Sequence, residues 1–93
     1  MEILAVLRSI QRALLGRITP NLRAVYVIFG KTTLLVFYYN SPPSDDEEEL
    51  ASLADTDFLS DYPDDETDFK IHTEPYPNPL PKEGYCVYHR YED

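Results

Sequence analysis

The chain has 93 residues, 43% of them hydrophobic, and a formal net charge of −9 at neutral pH. That length suits one domain with one core spanning residues 1–93, the apolar content excludes a wholly disordered chain, and no apolar run reaches the ~18 residues of a membrane span. Charge is unevenly placed: residues 1–40 sum to +4 and residues 41–93 to −13, a balance that repels nucleic acid as a whole and favours cationic partners, although acid also serves solubility.

The segment Met1-Glu2-Ile3-Leu4 has neither a basic stretch nor a small-residue cleavage site, so no signal peptide is expected. Residues 2–15 carry helical spacing, with Ile3, Leu7, Ile10 and Leu14 as a stripe widened by Val6. Gly16 is placed to stop that helix, and Thr19-Pro20-Asn21 to turn the chain. Two β-rich runs follow, Leu22–Phe29 and Thr32–Tyr39, with Gly30-Lys31 predicted as a two-residue hairpin turn. After the break at Asn40 to Pro43, Ser44 and Glu47 form a capping-box pattern, and Asp45, Asp46 and Glu47 suit a helix N-terminus. Leu50, Ala51, Leu53, Ala54 and Phe58 are expected to face inward, with Glu48, Ser52 and Asp55 in water. This helix is predicted to end near Ser60, before Tyr62-Pro63, and Asp64-Asp65-Glu66 to turn. Asp68–Glu74 alternates as a half-buried strand, Pro75–Pro81 is extended and stiff, and Tyr85–Tyr91 after Gly84 is a last strand. The expected fold is α+β, in the order α-β-β-α-β-β, with two helices packed on one face of a mainly antiparallel four-stranded sheet and the other face partly exposed.

Reactive chemistry is sparse. His72 and His89 lie on different predicted strands without metal-pair spacing, and Cys86 has no histidine beside it. The three glycines are isolated, so no phosphate loop exists, and the run Asp45 to Glu49 lacks the alternating ligands of a calcium loop. The pattern points to a non-enzyme with no cofactor and no metal. The lone cysteine cannot close an internal disulfide, which fits a reducing cytoplasm.

Two features favour protein binding instead. Residues 45–68 hold twelve Asp or Glu and no Lys or Arg, a density that a solvated helix face would also show. Eight tyrosines concentrate on the strands and the proline-rich loop, where sheet packing and interfaces both use them. Tyr38 and Tyr39 are adjacent in a strand, so their rings point to opposite faces and at least one leaves the helix-covered side.

The succession Ser9-Ile10-Gln11-Arg12-Ala13-Leu14-Leu15-Gly16, then Thr19-Pro20-Asn21-Leu22-Arg23-Ala24-Val25, resembles a family of short acidic bacterial proteins. Phe37-Tyr38-Tyr39 and the acidic helix through Glu49-Leu50-Ala51 continue it, so that the likeness covers about two-thirds of the chain and carries no catalytic motif. Within that neighbourhood the chain is similar to immunity proteins of contact-dependent inhibition and colicin-type toxin systems. The resemblance implies a cytoplasmic antitoxin, monomer or homodimer, that binds a basic nuclease toxin domain and touches neither nucleic acid nor membrane. Nuclease domains bind phosphates and are basic, which gives an acidic inhibitor fast encounter. On that reading the candidate contacts are Asp55, Asp57, Asp61, Tyr62, Asp64 and Asp65, with Tyr38 and Tyr39. A nucleic-acid-mimicking inhibitor of a DNA- or RNA-binding complex and a small regulatory adaptor are the alternatives. Whether the basic first helix is a second contact surface or pairs with the acidic half of its own chain is left open by the sequence.

Overall fold

A computed structural model of the protein describes residues 2–92. The order is α1 (Ile3–Ala13), β1 (Leu22–Ile28), β2 (Thr33–Tyr39), α2 (Asp45–Asp61), β3 (Thr67–Thr73) and β4 (Tyr85–His89). The four strands form one sheet in the order β3-β2-β1-β4. β1 runs antiparallel to β2, as a hairpin requires, and antiparallel to β4, but β3 runs parallel to β2. The sheet is therefore mixed. The reason is α2: a 17-residue helix is long enough to carry the chain back along the sheet, so β3 enters in the direction of β2.

The β1–β2 connection also differs from the two-residue turn predicted. Ile28 pairs with Leu34, and Phe29 to Thr32 lie between the strands. Gly30 does not take positive φ, which glycine at the first position of the tight turn would need. Positive φ falls instead on Gly16 (76°), just past α1, and on Gly84 (67°), before β4. Gly84 is the demanding position, because a Cβ there would sit 2.1 Å from the Val27 carbonyl oxygen.

Side chains from both helices meet one set of strand residues. Val6, Ile10, Ala13 and Leu14 from the α1 region and Ala51, Ala54 and Phe58 from α2 join Leu22, Val25, Val27, Leu35, Phe37, Tyr39 and Val87 in the main core. Strict alternation would put Leu22 and Val25 on opposite faces. A bulge between Leu22 and Ala24 adds one residue to β1 and brings both to the core side, and a second bulge does the same for Val87 and Tyr88 of β4. The helix stripes are narrower than expected. Ile3 is 43% exposed because it stands at the first residue of α1, and Leu53 of α2 is 42% exposed because at 100° per residue it lies far off the arc centred on Ala51–Phe58.

The other sheet face is partly exposed, as expected, with Lys70, His72 and Cys86 open to solvent, but its centre is covered. Ala24, Tyr26, Val36 and Tyr38 form a second buried cluster, with Leu80 of the proline-rich segment packed on it. That segment, which the sequence marks only as extended, returns across the sheet. A groove of about 520 Å³ lies between it and Arg23, Tyr26, His89 and Glu92.

Candidate functional site

The acidic surface is built on α2. Ser44 caps the helix: its Oγ accepts from the Glu47 N–H at 3.2 Å, while Glu47 Oε1 accepts from the Ser44 N–H at 3.1 Å. Asp45, Asp46, Glu47 and Glu48 then occupy the first turn, where the helix dipole favours negative charge. Glu47 also accepts from the Thr19 hydroxyl and, at 3.3 Å, from Asn21 Nδ2, which ties α2 to the turn before β1. Burial disfavours its charged form, but the bonds from Thr19, Ser44 and Asn21 outweigh that and lower its pKa.

The sequence-derived carboxylates separate into three groups. Asp57 and Asp61 stand one turn apart on the flank of α2 that faces α1. Asp57 pairs with Arg17, which also donates to the Ala13 carbonyl at 2.8 Å, and Asp61 pairs with Arg12. Asp61 also accepts from the Ser9 hydroxyl, and this bond, ahead of the Arg12 charge, lowers its pKa. Asp55 lies on the other flank, near Asp68. It is half-buried rather than in water, its Oδ1 has no hydrogen-bond partner among the described residues, and burial followed by the Asp68 charge raises its pKa. Asp64 and Asp65 are exposed in the turn after α2, where the Asp65 N–H donates to the Tyr62 carbonyl at 3.1 Å.

The basic first segment is thus largely engaged within the chain. Arg12 and Arg17 face α2, and Arg23 is buried against Glu92. Arg8 remains exposed, lining an open groove of about 470 Å³ with Ser9, Arg12, Asp61 and Tyr62.

The candidate tyrosines do point to opposite faces, and both are covered. Tyr39 lies in the main core, where burial and then the Glu47 charge push its pKa up to about 12. Tyr38 lies in the second cluster, edge-on to Tyr26 and stacked on His72 at 5.5 Å. Tyr62 ends α2 half-buried, its ring 5.5 Å from Phe58. The rings most open to solvent are Tyr76, Tyr85 and Tyr91.

Sequence reasoning missed the network around Arg23. The bulge in β1 turns this side chain toward Glu92, which receives Nε at 2.8 Å and Nη2 at 2.9 Å, while Nη1 donates to the Glu74 carbonyl at 2.7 Å. Arg90 Nε donates to the same Glu92 at 2.8 Å, and the Arg23 guanidinium lies 5.7 Å from the Tyr76 ring centroid. The two arginines, Arg23 first, hold the Glu92 pKa down to about 2. No local signal separates Arg23 from the more exposed basic residues Arg8, Arg12 and Arg17 before it.

His72 and His89 lie on β3 and β4, the opposite edges of the sheet. Among the described residues no three His, Cys, Asp or Glu are grouped to hold a metal ion, and no helix is long and apolar enough to cross a membrane. What remains is an exposed surface of carboxylates without basic partners among the described residues: Asp45, Asp46, Glu48 and Glu49 at the start of α2, and Asp64, Asp65 and Glu66 after its end.

A comparison with protein families matches residues 4–92 to the MafI2 immunity protein family. The chain belongs to that family. The match takes in both helices and all four strands, well beyond the segments on which the resemblance rests. A comparison with curated proteins finds no match. Immunity protein families are generally non-catalytic and act by binding a toxin.

Proposed function

We propose that this MafI2 family protein neutralises a basic nuclease toxin by laying the acidic surface of α2 and the following turn over the toxin's phosphate-binding groove. The observation that carries this reading is the division of the carboxylates. Asp57 and Asp61 are held by Arg17 and Arg12, whereas Asp64, Asp65 and the acids of the first α2 turn have no basic partner among the described residues. A cationic groove that binds a nucleic-acid backbone is complementary to that surface in sign, and steering by charge gives the rapid capture an antitoxin needs. Family membership favours toxin binding over nucleic-acid mimicry or a regulatory adaptor.

The test is charge reversal where the fold is not at stake. Asp64→Lys with Asp65→Lys is expected to slow association with the captured toxin roughly tenfold and to flatten its salt dependence, with the circular dichroism spectrum unchanged. Unchanged association kinetics in the folded double variant would place the contact surface elsewhere.

A further inference from the structure

The two sheet edges differ. β4 has five residues and carries the bulge at Val87, which disrupts an edge for further pairing. β3 has seven residues, contains no proline, and keeps unbroken register with β2 from Thr67 to Thr73. Among the described residues no strand pairs with its outer side.

Two bonds fix which groups face outward. The Glu66 carbonyl accepts from the Thr33 N–H at 2.9 Å, and the Glu74 N–H donates to the Tyr39 carbonyl at 2.8 Å. In a parallel pair every second residue both donates to and accepts from the neighbouring strand. Even-numbered residues of β3 therefore bond to β2, and Thr67, Phe69, Ile71 and Thr73 hold N–H and C=O away from it. In the single chain the outward Phe69 N–H is met by its neighbour's carboxylate, Asp68 Oδ1, at 2.8 Å, a bond that pairing through this edge must exchange for one to the second strand.

These constraints leave few ways for two copies to pair antiparallel about a two-fold axis, because outward-facing residues must oppose one another. Centring the axis on Asp68 opposes two aspartates, and centring it on Lys70 opposes two lysines. Centring on Thr67 sets Asp68 against Glu66, and centring on Ile71 sets Asp68 against Glu74 and Lys70 against His72. Centring on Phe69 sets Asp68 of each copy against Lys70 of the other, Glu66 against His72, and the two Phe69 rings against each other. Among the registers centred on Thr67 to Ile71, that one alone sets no like charges against each other. We infer that β3 is a self-association edge, pairing with β3 of a second copy about Phe69 to form one continuous eight-stranded sheet.

Sedimentation velocity over a concentration series tests this, at about 0.15 M salt, where a Debye length of ~8 Å screens the mutual repulsion of two acidic copies more than direct contacts. The wild-type chain is expected to approach twice its 10.8 kDa mass with rising concentration. Lys70→Asp turns two attractive cross-strand pairs into two repulsive ones and is expected to weaken the dimer about tenfold or more. Asp68→Lys with Lys70→Asp restores opposite charges and is expected to restore the dimer. A wild-type chain that stays monomeric at every concentration overturns the inference. So does a Lys70→Asp chain that dimerises like wild type, or a folded charge-swap variant that does not dimerise.

Discussion

Replacing Glu92 with alanine removes the carboxylate that faces Arg23, whose side chain is only 3% exposed. Arg23 keeps its bond to the Glu74 carbonyl but loses both bonds to a charge of opposite sign. Leaving a buried charge uncompensated costs about 3–5 kcal/mol, and the lower end applies because Glu92 lies near the surface with 11% of its side chain exposed. A domain of this length loses ~5 °C of Tm per kcal/mol, so the expected drop is ~15 °C at pH 7. The pH dependence carries a sign. The bonds from Arg23 and then Arg90 hold the Glu92 carboxyl down to about 2 in the folded chain, against an ordinary value of 4.5. Its ionised form therefore stabilises the fold above about pH 4.5, and that contribution is lost as pH falls toward 2. The shift corresponds to ~3 kcal/mol, trimmed to about 2 by screening at this position. Melts of wild type and Glu92→Ala, followed by circular dichroism at pH 7 and pH 3, should show the gap shrinking to about half or less in acid. A Tm drop under about 3 °C at pH 7, or a gap that does not change with pH, would refute the role assigned to this pair.

Two further substitutions probe the backbone and the cap. Gly84→Ala and Gly16→Ala both place a Cβ at positive φ, but only Gly84 has a carbonyl oxygen in the way. Gly84→Ala should cost roughly 2–4 kcal/mol and Gly16→Ala ~1, so equal urea midpoints would contradict the close approach of Val27 to the turn. Ser44→Ala removes the hydroxyl that caps α2 and should cost ~1 kcal/mol, or ~5 °C in Tm. A loss below a few tenths of a kcal/mol would mean that the Glu47 bonds to Thr19 and Asn21 suffice to hold the helix start.

The local elements were legible because each has a local cause. The Ser44–Glu47 box, the apolar spacing from Val6 to Leu14 and the alternation from Phe69 to Thr73 are all written within a few residues, and the elements they specify begin and end close to the expected places. The direction of β3 has no such signature. A strand, a long helix and another strand in succession permit a parallel crossover, but permission is not a preference until the sheet is assembled. The bulges in β1 and β4 were hidden for a similar reason: Leu22 through Ile28 is apolar on both faces, apart from Arg23, so no alternation reveals the extra residue. Burial on both faces in turn reflects the proline-rich segment, whose composition gives stiffness but not destination. For the candidate site, residue type pointed to an acidic surface, while the split between Asp57 and Asp61, held by α1, and the uncommitted Asp64 and Asp65 depends on how the two helices pack.

Blocking of a nuclease by the acidic surface can be observed directly. The most direct measurement uses the tagged chain to capture its partner, then titrates purified chain against that partner with nucleic-acid cleavage as the readout, at low and moderate salt. A basic polypeptide whose cleavage stops at equimolar chain, with slower association at the higher salt, is the expected result. Capture of a partner that cleaves no nucleic acid, or of a nuclease that the chain leaves fully active, would contradict the reading.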